Sequence, residues 1–112
     1  MTKAPPIEEL KAIAHPLRFR ILEVLARGEL SVGEIDQAAD IGQPALSQQL
    51  GVLRKAGLVE TRKEAKLVFY SLDQERMGEL SAALGRIAGD AEEKPAALRT
   101  PSPGVANFAR LT

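Results

Sequence analysis

Residues 42–59 of this 112-residue chain read GQPALSQQLGVLRKAGLV, and this stretch decides the fold. Three leucines recur at helix positions i, i+4 and i+7, so they predict a single apolar stripe. They are Leu46, Leu50 and Leu53. Pro44 suits the first helical turn, where its missing N–H leaves no hydrogen bond unmade. Gly57 fits a left-handed helix end, and the two apolar residues after it begin an extended segment. The stretch predicts a short helix, here called the reader helix, that leads directly into a strand.

The face of the reader helix opposite the leucines is polar but nearly uncharged. A solvated helix face usually carries charged residues, so this face indicates a partner rich in hydrogen-bond donors, acceptors and methyl groups. DNA base edges have this chemistry, since glutamine suits adenine and an alanine methyl suits thymine. We therefore predict contact with double-stranded DNA, some of it to phosphates. The predicted residues on this helix are Gln43, Pro44, Ala45, Ser47, Gln48, Gln49 and Arg54.

The segment before the reader helix completes a helix-turn-helix. Ser31 followed by Glu34 has the spacing of a capping box, which predicts a helix over residues 32–39. Ile41-Gly42 then forms a tight turn into the reader helix. Two further helices precede this pair. The first contains Ile7, Leu10 and Ile13 at helical spacing, and the second starts at Pro16 and stops at Gly28.

After the reader helix the apolar period changes to that of strands. Residues 58–62 and 66–72 are rich in β-branched and aromatic side chains, and residues 63–65 link them. They predict an antiparallel hairpin, although the link lacks the Asn-Gly or Asp-Gly of a tight turn. A hairpin in this position is a wing. Its basic residues at or near the tip are predicted to contact phosphates or the minor groove. They are Arg62, Lys63 and Lys66.

A last helix over residues 74–89 follows a capping residue, Asp73. Its apolar residues step by 3, 4 and 3, which predicts a short seam that packs on the first helix or on a second copy. They are Met77, Leu80, Leu84 and Ile87. The predicted organisation is a flexible lead (1–6), one folded domain (7–89) and a flexible, proline-containing tail (90–112). The fold class is mainly α with a small β-hairpin, an α+β winged helix-turn-helix.

The amino-acid composition excludes several classes of function. The chain has no cysteine, which excludes disulfides, thiolate metal sites and thiol switches. It has no apolar run of transmembrane length and no signal-peptide core, so we expect a cytoplasmic protein without a membrane partner. The net charge is zero, yet residues 43–70 carry five basic and two acidic side chains. Residues 73–93 carry two basic and six acidic ones. We expect moderate, salt-dependent attraction to phosphate.

Catalysis is not expected. The single histidine, His15, lies between two predicted helices and is assigned a structural role. No glycine-rich phosphate loop is present, and the carboxylates are scattered rather than paired in one segment. We therefore predict that the chain is not an enzyme and needs no cofactor.

The motifs AHPLR, QPALSQQL and AGLVETR strongly resemble the ArsR/SmtB family of bacterial repressors, and the similarity covers about residues 7–89. This resemblance implies a homodimer joined through the first and last helices. It also implies that two reader helices enter successive major grooves of an inverted repeat, about one helical turn apart. The implied interface residues are Ile7, Leu10, Ile13, Met77, Leu80, Leu84 and Ile87.

Within that family the reader segment looks most like the persulfide-responsive subgroup, which senses through a cysteine pair. Glu23 stands about where one of those cysteines would fall, so dithiol sensing is excluded here. Metal-sensing members use cysteines, or Asp and His pairs along the last helix. This last helix has carboxylates but no histidine, which makes a poor metal site.

The predicted function is therefore a homodimeric repressor that binds an inverted-repeat operator. Its signal stays open. Two options are binding of a small molecule of unknown identity between the helices and control by the abundance of the protein alone. Two alternatives also remain, an activator that displaces another DNA-bound protein and a dimeric adaptor that no longer binds DNA.

Overall fold

The structure is a computed structural model, and it describes residues 4–89. The elements in chain order are α1 (Ile7–Ile13), α2 (Pro16–Leu25), β1 (Leu30–Ser31), α3 (Val32–Ala39), α4 (Ala45–Lys55), β2 (Val59–Glu64), β3 (Leu67–Leu72) and α5 (Gln74–Ala88). The chain divides into two compact units, the first ending at Ser81 and the second beginning at Ala82. The predicted tail and residues 1–3 of the predicted lead lie outside the described residues. The mainly helical, winged helix-turn-helix fold class is confirmed.

Local capping explains where three of the helices begin. Pro16 is the first residue of α2, and Nδ1 of His15 accepts the Leu17 N–H at 3.1 Å. The lone histidine therefore has the predicted structural role. The capping box before α3 is present in both directions, and Asp73 accepts the Arg76 N–H at 2.9 Å at the start of α5. Each cap satisfies backbone N–H groups that have no partner inside the helix.

The helix α4 is the predicted reader helix. It starts at Ala45, and Pro44, which was predicted in the first helical turn, occupies the capping position just before it. The Leu46 N–H bonds to Gly42 O at 2.9 Å. The predicted leucine stripe is buried, with exposures of 1% or less. Gly57 ends the helix region with a φ of 80°. This left-handed conformation is the one that the sequence predicted there.

The wing is part of a three-stranded antiparallel sheet of order β1-β3-β2. The pairing of β2 with β3 runs from Val59↔Leu72 to Glu64↔Leu67, so the turn contains two residues, Ala65 and Lys66. The prediction of a link at 63–65 was wrong, because Lys63 and Glu64 belong to the ladder. Ala65 adopts a φ of 58° to close this turn. The two-residue strand β1, which pairs with β3, was not predicted.

One hydrophobic core joins the elements of the first unit. The α4 leucines pack with side chains of α2, α3 and the segment that enters β2, among them Ile21, Leu25, Ile35 and Leu58. Leu80 of α5, at 3% exposure, belongs to the same core. Among the described residues, no helix is both long enough and apolar enough to cross a membrane.

Gly57 is under two constraints, which lead to a stability prediction. Its φ is left-handed, and a Cβ built on it would lie 3.1 Å from Nη1 of Arg76. Gly57→Ala is expected to lower the free energy of unfolding by about 1–2 kcal/mol, the usual cost of this conformation for an L-residue. Urea denaturation measures this. Gly33→Ala is the control, because Gly33 is helical and its Cβ position is open. Equal stability of the two variants would contradict the prediction.

Candidate nucleic-acid interface

Two side-chain hydrogen bonds hold the turn between α3 and α4. Asp40 ends α3 in the left-handed conformation, and Gly42 follows with a φ of 84°. The Asp36 carboxylate accepts the Gly42 N–H at 2.9 Å, and Arg20 donates to Ala39 O at 3.1 Å. The Asp36 bond joins α3 to the turn before α4, and the Arg20 bond joins α2 to the end of α3, so together they position the start of α4 with respect to α2 and α3.

The face of α4 opposite the leucines is exposed, and most of its side chains are small. Pro44, Ser47, Gln48 and Gly51 are exposed and follow helical spacing, while Ala45 is half-buried. The Ser47 and Gln48 side chains have no hydrogen-bond partner within residues 4–89. Nothing lies within 4 Å of the Cβ position of Gly51. The face therefore presents an amide and a hydroxyl that are available to an external partner.

Two predicted reader glutamines form bonds within the chain instead. Oε1 of Gln43 accepts the Ser47 N–H at 3.1 Å, so Gln43 satisfies an N–H in the first turn of α4. Pro44, at the capping position, has no side chain that can do so. Oε1 of Gln49, which is half-buried, accepts a hydrogen bond from Arg18 at 2.8 Å. Base reading by Gln43 and Gln49 therefore stays a prediction with a competing internal role.

The remaining predicted cations lie on α4 and the wing. Arg54 is exposed in the last turn of α4, and Lys55 beside it is exposed as well. Lys63 of β2 and Lys66 in the wing turn are also exposed. These four side chains follow the polar face of α4 in the sequence and supply positive charge that suits a polyanion.

Arg62 is held by two carboxylates. Its Nε and Nη2 donate to Glu29 at 2.7 and 2.9 Å, and its Nη1 donates to Glu64 at 2.7 Å. The guanidinium also lies 4.8 Å from the centre of the Phe69 ring, within cation–π range. Arg62 thereby ties β2 across β3 to the segment that precedes β1. Its predicted contact with DNA would require these ion pairs to break, which leaves Lys63 and Lys66 as the available wing cations.

Sequence reasoning missed Glu29 and Arg18, which hold Arg62 and Gln49. Glu29 lies outside the quoted motifs, whereas Arg18 is the last residue of AHPLR; in both cases the bonded partner is more than 30 residues away in the chain. The Arg62 guanidinium lowers the pKa of Glu29, mainly through its hydrogen bonds. The two Glu29 carboxylate bonds raise the pKa of Arg62 in return.

The residues predicted at a dimer interface divide into two groups. Leu10, Ile13, Met77 and Leu80 pack in or against the core of their own chain. Ile7, Leu84 and Ile87 are exposed, Ile87 by 84%. Within residues 4–89 no group of three His, Asp or Glu side chains is placed to hold a metal ion.

Known proteins are similar to this chain in sequence and in fold. Residues 13–62 match a family model described as a helix-turn-helix domain. The chain is 52% identical over 84 residues to the biofilm growth-associated repressor of Agrobacterium fabrum, covering 75% of this chain and 72% of that protein. It is 46% identical over 78 residues to the transcriptional activator HlyU of Vibrio cholerae, covering 70% and 72%. The crystal structure of the transcriptional repressor BigR from Xylella fastidiosa has 48% identity and a TM-score of 0.61, over 72% of this chain and 83% of that one. These relatives are transcription regulators and not enzymes.

The Glu29–Arg62 pair predicts a pH dependence of stability. Because the pKa of Glu29 is lowered in the folded state, its contribution is present above the ordinary value of 4.5 and is lost as the pH falls through the folded value. Wild type should therefore melt at a higher temperature than Glu29→Gln at pH 7, and the gap should close below about pH 4.

Thermal denaturation between pH 7 and pH 3 measures this gap. Glu60→Gln serves as the control, since Glu60 is an exposed glutamate on the same strand as Arg62. A gap between wild type and Glu29→Gln that stayed constant over this range would rule out the ion pair as its cause.

Proposed function

This chain belongs to the ArsR family of winged helix-turn-helix transcription regulators, and on that basis we propose that it is a homodimeric repressor of an inverted-repeat operator. The observation that carries the proposal is the exposed, uncharged face of α4. Ser47 and Gln48 on this face lack partners within residues 4–89, whereas the opposite face is fixed in the core. In this proposal α4 enters the major groove and the two side chains meet base edges.

Each position on the face suits that role. The Gln48 amide can donate to and accept from adenine, and the Ser47 hydroxyl can bond to several bases. Pro44 and Gly51 flank this pair with little side-chain bulk, and Gly51 has open space at its Cβ position. Small flanking residues allow the backbone of α4 to approach the groove floor closely. The arrangement supports α4 as the element that reads sequence.

Phosphate contacts come from the cations around this face. Arg54 and Lys55 lie at the end of α4, and Lys63 and Lys66 lie on the wing. Arg62 holds the wing in place rather than contacting the DNA phosphates, since Glu29 and Glu64 already accept hydrogen bonds from its guanidinium. The wing is thereby presented as a rigid arm with two available lysines.

Dimerisation is supported by exposed apolar side chains. Leu84 and Ile87 are three residues apart on α5, and both are more than half exposed. In the proposed dimer a second copy covers them. Two copies related by a two-fold axis place two α4 helices about one helical turn of DNA apart, which is why the operator is an inverted repeat.

A second candidate function is activation by displacement of another DNA-bound protein. It is favoured by the name of the Vibrio cholerae relative, a transcriptional activator. Both functions use the same DNA interface and differ in what lies beside the operator. In either case the signal is not sensed through a cysteine of this chain, because the chain has none.

Gel-shift titration on the chain's own upstream DNA, at two salt concentrations, tests DNA reading. We expect salt-sensitive binding of two protomers per site. Gln48→Ala should cost about 1–3 kcal/mol and relax specificity at one position. Lys66→Gln should weaken binding evenly across sequences and reduce the salt slope by about two, one for each protomer of the dimer. Lys11→Gln is the matched control, since Lys11 is an exposed lysine on α1.

Weak binding that ignores sequence on every fragment tested would reject the repressor and favour the adaptor. Specific binding combined with higher transcription from the bound promoter would favour the activator.

Analytical ultracentrifugation tests the dimer. Ile87→Glu places a charge on the proposed apolar interface and should raise the dimer dissociation constant by about 100-fold or more, since each of the two copies loses the burial of an isoleucine, which stabilises by about 1.5–3 kcal/mol. Ala82→Glu is the control, because Ala82 is exposed and lies on the face of α5 opposite the apolar seam. If Ile87→Glu and Ala82→Glu both have the dissociation constant of wild type, the apolar seam of α5 does not join the two copies.

A further inference from the structure

Arg18, near the start of α2, joins three helices through one half-buried guanidinium. Its Nε donates to Ala12 O of α1 at 2.5 Å, and its Nη2 lies 3.5 Å from Lys11 O. Its Nη1 donates to Oε1 of Gln49 on α4 at 2.8 Å. The side chain of Arg18 is therefore bonded to both α1 and α4.

The contact with α1 follows from the sequence. In a longer helix Ala12 O would accept the N–H of residue 16, but residue 16 is proline and has none. The His15 N–H bonds instead to Ile13 O at 2.7 Å, which leaves Lys11 O without its usual helical partner. The Arg18 guanidinium supplies donors to both carbonyl oxygens. It thus completes the end of α1 that Pro16 leaves open.

The contact with α4 acts on the orientation of that helix. Leu46, Leu50 and Leu53 bury one face of α4, but apolar packing is not directional. A hydrogen bond to a charged donor is directional and short, so the Arg18–Gln49 bond restricts rotation of α4 about its axis. Gln49 is adjacent to Gln48 and projects about 100° away from it around the helix. Fixing Gln49 therefore fixes the direction in which Gln48 projects.

We propose that Arg18 is a positioning residue for DNA recognition, and that Gln49 serves as its acceptor rather than as a base reader. This inference rests on the proposed function, in which α4 reads the operator. Arg18 sets the angle at which Ser47 and Gln48 meet the groove. Because the same guanidinium is bonded to α1, a displacement of α1 changes that angle, and DNA affinity depends on the position of α1.

Two substitutions of Gln49 separate a positioning role from direct DNA contact. Gln49→Glu keeps an acceptor for Arg18 but adds a negative charge, which a residue touching DNA would not tolerate. Gln49→Leu removes the acceptor with little change in volume. Positioning predicts that Gln49→Leu binds the operator about ten-fold more weakly than wild type while Gln49→Glu stays within about two-fold. Direct contact predicts the reverse order.

Gel-shift titrations of the full chain on its upstream operator measure these affinities, with the folded fraction of each variant checked by circular dichroism. Arg18→Met should weaken binding at least as much as Gln49→Leu, because it also removes the bonds to α1, and the double variant should bind no more weakly than Arg18→Met alone, because both substitutions remove the same Arg18–Gln49 bond. Arg27→Met is the matched control, an exposed arginine just after α2. If Arg18→Met fails to fold because α1 loses its cap, the two Gln49 variants still decide, since they leave Arg18 bonded to α1.

The outcomes are distinct. Absence of specific binding by wild type overturns the proposed function and this inference together. Specific binding by wild type with unchanged affinity of Gln49→Leu overturns the positioning role alone. A larger loss for Gln49→Glu than for Gln49→Leu overturns it as well and assigns Gln49 to the DNA surface.

Discussion

Burial of the leucine stripe on α4 is the constraint on which the rest of the structure depends. Leu46, Leu50 and Leu53 are essentially inaccessible, and each such burial stabilises the fold by about 1.5–3 kcal/mol. Because α4 has eleven residues and a period of 3.6, burying these three leucines determines which residues face outward. Ser47 and Gln48 are exposed as a consequence of core packing. The same packing therefore both builds the hydrophobic core and exposes the face of α4 that is proposed to recognise DNA.

Polar contacts restrict the position and rotation of α4, which apolar packing alone does not fix. Gln43 caps α4, Asp36 holds the turn before it, and Arg18 bonds to its flank through Gln49. Each bond fixes a different coordinate of α4, namely its start, its angle to α3 and its rotation. A helix held in this way reaches DNA already ordered, so binding does not have to supply the entropy of ordering it.

The sequence predicted what depends on near neighbours. The caps at Ser31 and Asp73 involve residues three positions apart, and both occur as predicted. His15, predicted only to have a structural role, caps α2 through a residue two positions away. The strand β1 escaped prediction because its pairing partner β3 lies about 40 residues further along the chain. The role of Arg62 escaped for the same reason, since Glu29 is 33 residues away. A wing arginine that is free and one that is held by carboxylates have the same local sequence, and only the fold distinguishes them.

The use of charge in this chain bears on how it recognises DNA. Its net charge is zero, and several arginines are engaged within the fold, Arg18 and Arg62 among them. On α4 and the wing, the exposed cations outside such pairs are Arg54, Lys55, Lys63 and Lys66. A dimer that used all of them would have a salt slope of at most about −7, from roughly −0.9 per phosphate neutralised. Nearby glutamates such as Glu60 lower the attraction further. For the proposed dimer we therefore expect a modest non-specific affinity, with most of the discrimination between sites coming from base contacts by α4.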